Sequence, residues 1–385
     1  MTASRNPLHC IIPPHMLKNI YANGTPAQRQ IALASIIGSS RLRGGRSSRV
    51  KAAAIGAAPV SGGKRRRIYS SGNGSALPGK LVREEGAPPL MDAAANEAYD
   101  GAGATYDLYW ETYARDSLDG HGLPVDSTVH YREEYDNAFW DGAQMVYGDG
   151  DGQLFKRFTV AIDVIGHELT HGVTQYSSNL TYSNQPGALN ESLSDVFGSL
   201  VKQRHLGQSA SQADWLIGEG LFTPDVRGAA LRSLKEPGTA YDDPVLGRDP
   251  QPAHMRDYVH TADDDGGIHV NSGIPNHAFF LVAASIGGFA WEKAGRIWYT
   301  AARDKFTAGT DFAAAAHLTY QSATDLYGDG SPEQRAVQYG WEGVGVTLGL
   351  PTPKAQPKPS GCGASTPAFL RSLAMRRPRN HSASG

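Results

Sequence analysis

DVIGHELTHGVTQYSSNLTYSNQPGALNESLSD, Asp163 to Asp195, is the stretch on which the reading of this chain turns. His167 and His171 are four residues apart, so on a helix they lie about 40° apart in azimuth and offer two imidazoles to one metal ion. Glu168 stands beside them. It is near enough to reach a water on that ion and poorly placed to ligate it, which suits a general base. A four-coordinate catalytic zinc takes a third protein ligand and leaves one position for water. Glu191 is the candidate, because the Ser-Asn and Asn-Gln-Pro-Gly signals after His171 let the chain turn and begin a second helix. Asp195 follows one turn later on the same face, where a carboxylate accepts the free ring N–H of a ligating His. With 13 His and 13 Glu in 385 residues, HExxH arises by chance with a probability of about 1.5 in a hundred. The plain alternative, an exposed helix with two solvated imidazoles, loses weight once Glu191 and Asp195 are counted.

Working outward, the charge is unevenly laid out. Residues 1–83 carry fourteen Lys and Arg and no acid, 84–350 carry sixteen basic against thirty-eight acidic residues, and 351–385 carry six basic and none acidic. A basic flank on an acidic body is a natural intramolecular partner. The two cysteines, Cys10 and Cys362, both lie in the flanks, so no disulfide framework supports the body. A thiolate at Cys10 could block a zinc, but a lone Cys beside Ile11 and Ile12 is more often a small core residue; its role stays unassigned. Residues 1–20 lack the apolar run of a secretory signal, and no stretch approaches the roughly 20 apolar residues of a membrane span.

HELTH followed by GALNESLSD resembles the zinc site of the thermolysin-like metalloproteases. Residues 6–38, NPLHCIIPPHMLKNIYANGTPAQRQIALASIIG, resemble the short propeptide of the protealysin-like members, with Pro and Thr starts for two short helices. The resemblance runs from about 81 to 347 and implies an α+β fold, a two-lobed thermolysin-like zincin. Its β-rich N-terminal lobe precedes a helical C-terminal lobe, with the HExxH helix on the cleft floor. The expected divisions are a propeptide and basic linker at 1–67, the first lobe at 68–180, the second at 181–347, and a disordered basic tail at 348–385. Within the linker KRRR at 64–67 is read as a processing site, with self-removal of the prosegment leaving a form that begins between Lys64 and Arg83. Over 81–160, DG and GDG turns separate short strands around one helix, whose stripe Tyr106, Tyr109, Trp110 and Tyr113 reads as core. GDGDG at 148–152 is turn chemistry rather than a calcium site. Ala-rich helices are expected at 275–304 and 311–327, each ending in Gly.

By the same resemblance one Zn²⁺ is held by His167, His171 and Glu191, with Asn190 and Asp195 behind the ligands. Glu168 takes the proton of the attacking water and delivers it to the leaving amine. Tyr182 and His269, the latter inside DDDGGIHVNSGIPNHAFF (263–280), stabilise the oxyanion, and Asp264 orients His269. Asn137 and the Ala138 backbone in NAFW hold an extended peptide by strand addition. Arg232 in ALRSL grips its carbonyl, while Leu231 and Val164 line a pocket for a bulky apolar residue after the scissile bond. Asp163, Asp214 and Glu219 match part of a calcium site, but Lys202 stands where a bridging carboxylate would be; at most one Ca²⁺ is expected there. The expected protein is a monomeric metalloendopeptidase acting on proteins or peptides, inhibited by its own propeptide, without nucleic-acid or membrane partners. Secretion is implied, with a cytoplasmic location as the alternative. The rival from another class is a non-catalytic interaction protein acting through its basic flanks.

Overall fold

The computed structural model describes residues 9–37 and 63–348. The expectations placed on the linker up to residue 62, on the tail from 349 and on Cys362 lie outside the described residues. Among the described residues no helix is long and apolar enough to cross a membrane.

Six short strands form one mixed sheet: β1 His9–Cys10, β2 Arg66–Ser70, β3 Lys80–Glu84, β4 Val125–Val129, β5 Ala138–Trp140 and β6 Met145–Tyr147. Their order is β1-β5-β6-β4-β2-β3. Pairs β2/β4 and β4/β6 run parallel, and the β5/β6 hairpin presents β5 as the strand on which β1 adds antiparallel. The run Lys64 to Arg67, expected in an exposed linker, instead leads into β2. Lys64 pairs with Asp107 at 2.8 Å, Arg67 with Asp126 at 2.7 Å and Arg66 with Glu85, while Arg65 donates to the Gly122 carbonyl. The basic run is thus neutralised by the acidic body, and β2 begins inside it, at Arg66. A cut after Arg66 would fall inside β2, which pairs with β3 and β4, whereas one before Arg66 would leave that strand whole.

Two helices follow β1. Helix α1, Pro14–Asn23, starts on Pro13-Pro14, where a missing N–H costs nothing. Helix α2 covers residues 26–37. It opens on a reciprocal cap: Thr25 Oγ1 accepts from the Gln28 N–H at 3.3 Å and Gln28 Oε1 from the Thr25 N–H at 2.8 Å. Helix α3, Ala93–Asp107, is capped by Asp92, which accepts from Ala95 N–H at 3.2 Å. It runs into a π-helical turn, Leu108–Thr112. That turn shifts the phase of the aromatic stripe: Tyr106, Tyr109 and Tyr113 are core as expected, but Trp110 is 43% exposed.

Helices α4, Ile162–Gln175, and α5, Asn184–Leu206, pack closely because glycine allows it. A Cβ on Gly198 would sit 2.5 Å from the Asp163 carbonyl, and one on Gly166 would sit 3.1 Å from Gly198 Cα. Likewise a Cβ on Gly101 would sit 2.4 Å from Ile165, so α3 lies hard against the outer side of α4. Between α5 and the remaining helices a small ribbon, β7 Leu216–Ile217 with β8 Arg232–Ser233, brings Arg232 to the cleft. The second lobe is completed by α6 Asp264–Asn271, α7 Gly273–Ile286, α8 Ala294–Asp304, α9 Phe312–Tyr327 and α10 Pro332–Gly343. The single long helix expected over 275–304 is broken at Gly287 and Gly288, both in the left-handed region, whereas α9 stops at Gly328 as read.

Candidate active site

Helix α4 turns His167, Glu168 and His171 toward β5 and α5, and all three are buried. His167 Nδ1 lies 2.8 Å from Asp195 Oδ1, and His171 Nδ1 lies 2.9 Å from Asn190 Oδ1 and 3.0 Å from Ser194 Oγ. Both partners at 2.8 and 2.9 Å are acceptors, so each ring carries its proton on Nδ1 and turns an Nε2 lone pair inward. The two Nε2 atoms face each other at 3.1 Å, with Glu191 Oε2 3.6 Å from one and Oε1 3.5 Å from the other. Three convergent lone-pair groups in a dry pocket repel one another unless a cation lies between them. Their spacing fits zinc, since tetrahedral ligands at about 2.1 Å are roughly 3.4 Å apart. Glu191 Oε2 is moreover buried with no hydrogen-bond partner. Among the described residues this is the one group of three that could hold a metal ion, and the Cys10 thiol is not part of it.

Glu168 is one residue out of phase with the ligands. Its Oε2 accepts from the Trp140 N–H of β5 at 3.0 Å, which fixes the carboxylate between α4 and the strand edge. Across the site, Asp264, Asp265, Gly266 and Gly267 all take left-handed backbone angles, and this turn delivers His269. Asp264 grips His269 twice, accepting from its backbone N–H at 2.9 Å and lying 2.8 Å from Nδ1. Burial works against charge on His269, but Asp264 and then Glu191 outweigh it and raise its pKa to about 9. Tyr182, buried beside both, donates its hydroxyl to Glu191 Oε1.

Asp195 does more than the spacing suggested. Besides His167 it receives Arg232 through Nε at 2.9 Å and Nη2 at 2.8 Å, and Asn276 Nδ2 at 2.8 Å. Despite burial, Arg232 and His167 hold its carboxyl well below the usual carboxylate range. Metal ligand and cleft arginine are therefore tied to one carboxylate. Sequence reasoning missed Ser194 and Asn276; their signal was their place inside the NESLSD and IPNHAFF runs. Val164 and Leu231 are both buried, the second beside Arg232. At the calcium-like position Lys202 Nζ lies 2.6 Å from Asp214, 3.0 Å from Glu219 and 3.5 Å from Asp163. The ammonium thus sits among the three acids. In GDGDG, Asp151 Oδ1 accepts three successive N–H groups, of Gln153, Leu154 and Phe155. These bonds close the turn on one carboxylate oxygen.

The cleft is filled by the chain's own N-terminal segment. Ile11 N–H donates to the Ala138 carbonyl at 3.1 Å, Ile12 N–H to Asn137 Oδ1 at 3.1 Å, and Arg232 Nη1 to the Ile11 carbonyl at 3.1 Å. The Cys10 carbonyl lies 3.2 Å from His269 Nε2. Ile11 and Ile12, with Met16, Leu17 and Ile20 of α1, are buried. The Cys10 side chain joins Tyr131, Tyr135, Phe139 and Val146 in an apolar cluster.

Comparison with known proteins agrees with this geometry. Residues 64–175 match the family described as thermolysin metallopeptidase, catalytic domain, and 178–346 match its alpha-helical domain. An extracellular metalloprotease of Pectobacterium carotovorum subsp. carotovorum is 50% identical over 343 residues, covering 89% of this chain and 97% of that protein. Protease PrtS of a Photorhabdus species is 45% identical over 355 residues, 90% of this chain and 95% of the relative. Among solved structures, the precursor of protealysin, a metalloproteinase from Serratia proteamaculans, superposes with a TM-score of 0.81 at 50% identity. It covers 88% of this chain and 99% of that one.

Proposed function

From the premise that this chain belongs to the thermolysin family of zinc metalloendopeptidases, we propose that it is a secreted, monomeric protease made as a precursor whose N-terminal segment inhibits it. The reading is carried by one observation: Asn137, Ala138, Arg232 and His269, the residues assigned to an extended substrate, all bind the successive residues Cys10, Ile11 and Ile12. An inhibitor that occupies these four polar contacts excludes an extended substrate from them. Steering comes from charge, since residues 1–67 carry twelve basic residues and no acid. Exposed charge is screened within about 8 Å at physiological salt, so the buried apolar face of α1 supplies the affinity. The relatives' extracellular names speak for secretion and against the cytoplasmic alternative.

On a substrate in the segment's place, Arg232 holds the carbonyl after the scissile bond and Asn137 the following N–H, which fixes the reacting carbonyl against His269. Glu168, held by the Trp140 N–H, accepts a proton from the attacking water and returns it to the leaving amine. His269, kept protonated by Asp264, donates Nε2–H to the oxygen as negative charge develops, and Tyr182 becomes a second donor when its hydroxyl turns from Glu191 Oε1 to that oxygen. Zinc held by His167, His171 and Glu191 supplies a Lewis acid that acidifies water and polarises the carbonyl. The substrate class is a peptide with a bulky apolar residue after the cut, by analogy with the buried Ile11.

The test is casein hydrolysis by the purified chain before and after loss of the prosegment. Activity that a zinc chelator abolishes, and that rises as the segment is lost, is the expected result; full activity in the intact chain would overturn the inhibitory role. Glu168→Gln should stay full length where wild type shortens.

A further inference from the structure

We infer that the Cys10–Ile11 peptide bond is seated as the bond to be cut, and that the enzyme hydrolyses it within its own molecule. This rests on the inhibitory reading above and adds a register to it. The Cys10 carbonyl is the one that faces His269 Nε2, 3.2 Å away, the donor placed to stabilise an oxyanion. The next residue supplies the leaving amine. Its N–H points at the Ala138 carbonyl at 3.1 Å and its own carbonyl is gripped by Arg232 at 3.1 Å. One residue further on, the Ile12 N–H is on Asn137 at 3.1 Å. Upstream, Cys10 pairs with Phe139 and His9 with Trp140, the strand residue whose N–H holds the general base. Segment direction and register together therefore place Cys10 before the reacting carbon–nitrogen bond and Ile11 after it, with no residue out of phase.

Hydrolysis here consumes one water. Its hydroxyl joins the Cys10 carbonyl carbon, the bond to the Ile11 nitrogen breaks, and a proton passes through Glu168 to that nitrogen. The products are a carboxylate on Cys10 and a free amine on Ile11. They do not separate alike. Residues 11–37 remain anchored by Ile11, Ile12, Met16 and Ile20, all at most 1% exposed, whereas described contacts upstream of the cut come from β1 alone. The cut chain thus keeps the downstream half of its cleft filled, and a second cut beyond α2 is needed to clear it.

The experiment follows intact mass and N-terminal sequence of the full chain over time, at several protein concentrations, for wild type and Glu168→Gln. A species beginning at Ile11, formed by wild type alone with a first-order rate constant independent of concentration, is the expected outcome. An apparent first-order rate constant that climbs in proportion to concentration, or a catalytically active preparation in which every fragment spanning residues 10 and 11 stays uncut, overturns the proposal. Ile11→Asp separates it from the reading beneath it. A buried carboxylate unseats the segment, so this variant should hydrolyse casein at full length. Release in Ile11→Asp with an uncut wild-type bond would refute self-cleavage and leave inhibition standing. A cut wild-type bond with no release in Ile11→Asp would do the reverse.

Discussion

Each residue of the metal site has a separable task, and the contacts say which substitution removes which. Glu168 touches Trp140 N–H rather than the convergent lone pairs, so Glu168→Gln should retain about one zinc per chain by metal analysis while losing hydrolysis. His171→Ala removes one of three ligands and should lose both. Metal loss in a folded Glu168→Gln protein would show that the base assignment is wrong. His269 lies outside the group of three, with its ring held by Asp264. His269→Ala should therefore keep its zinc and lower turnover on the order of a hundredfold or more, with KM little changed. Zinc occupancy falling as far as in His171→Ala would instead make His269 a ligand.

At the scale of elements, the site depends on how closely α4 and α5 approach. Gly198 allows the approach, since its Cβ would meet the Asp163 carbonyl at 2.5 Å and the His167 N at 3.0 Å. Gly198→Ala should push the helices apart at the ligand turn, costing about 1–3 kcal/mol in stability and weakening zinc binding in a chelator competition. Unchanged melting and zinc affinity would mean that the helices shift without cost. One turn further along α5, Lys202 pins the same end of the pair. Burial opposes its charge, but Asp163 and Asp214 hold its pKa above the usual lysine value, so it stays an ammonium among three acids. Melting temperature should respond weakly to calcium in wild type and clearly in Lys202→Glu. Two strong, cooperative calcium-binding events in wild type near Asp214 and Glu219 would contradict the ammonium's role.

For the whole molecule, the seam between N-terminal segment and body contains a titratable group. His15 lies with Nε2 3.0 Å from the Tyr241 hydroxyl and with Nδ1 buried and unpartnered. Burial lowers its pKa to about 4, helped by His269, Arg232 and Lys18 and opposed by Asp264. Docked, His15 is neutral; undocked, it binds a proton near pH 6.5. Docking is therefore at full strength above that pH and weakens as pH falls toward about 4, by on the order of a hundredfold. Amide exchange across residues 9–37 in full-length Glu168→Gln should accelerate over this range. His15→Gln should flatten the dependence, and an equal acid response in both proteins would place the sensor elsewhere.

The metal site was legible in the sequence because it is local. A four-residue spacing on one helix and another on the next determine which side chains share a face, whatever the rest of the chain does, and His167, His171, Glu191 and Asp195 converge accordingly. The two short helices after Pro13 and Thr25 were legible for the same reason, since Pro13-Pro14 starts the first and the Thr25–Gln28 cap that starts the second spans three residues. What depended on distance along the chain was not. Cys10 read as a small core residue, and its side chain is one, but its carbonyl meets a histidine 259 residues away. KRRR looked like linker because its acidic partners, Asp107, Glu85 and Asp126, are scattered through a different segment. Helical phase assigns Trp110 to the core, and the π turn over Leu108–Thr112 leaves it at the surface. Spacing specifies the faces of individual elements; which faces meet is decided only when the chain closes on itself, through contacts such as Gly198 on Asp163 and Arg232 on Asp195 that no local pattern contains.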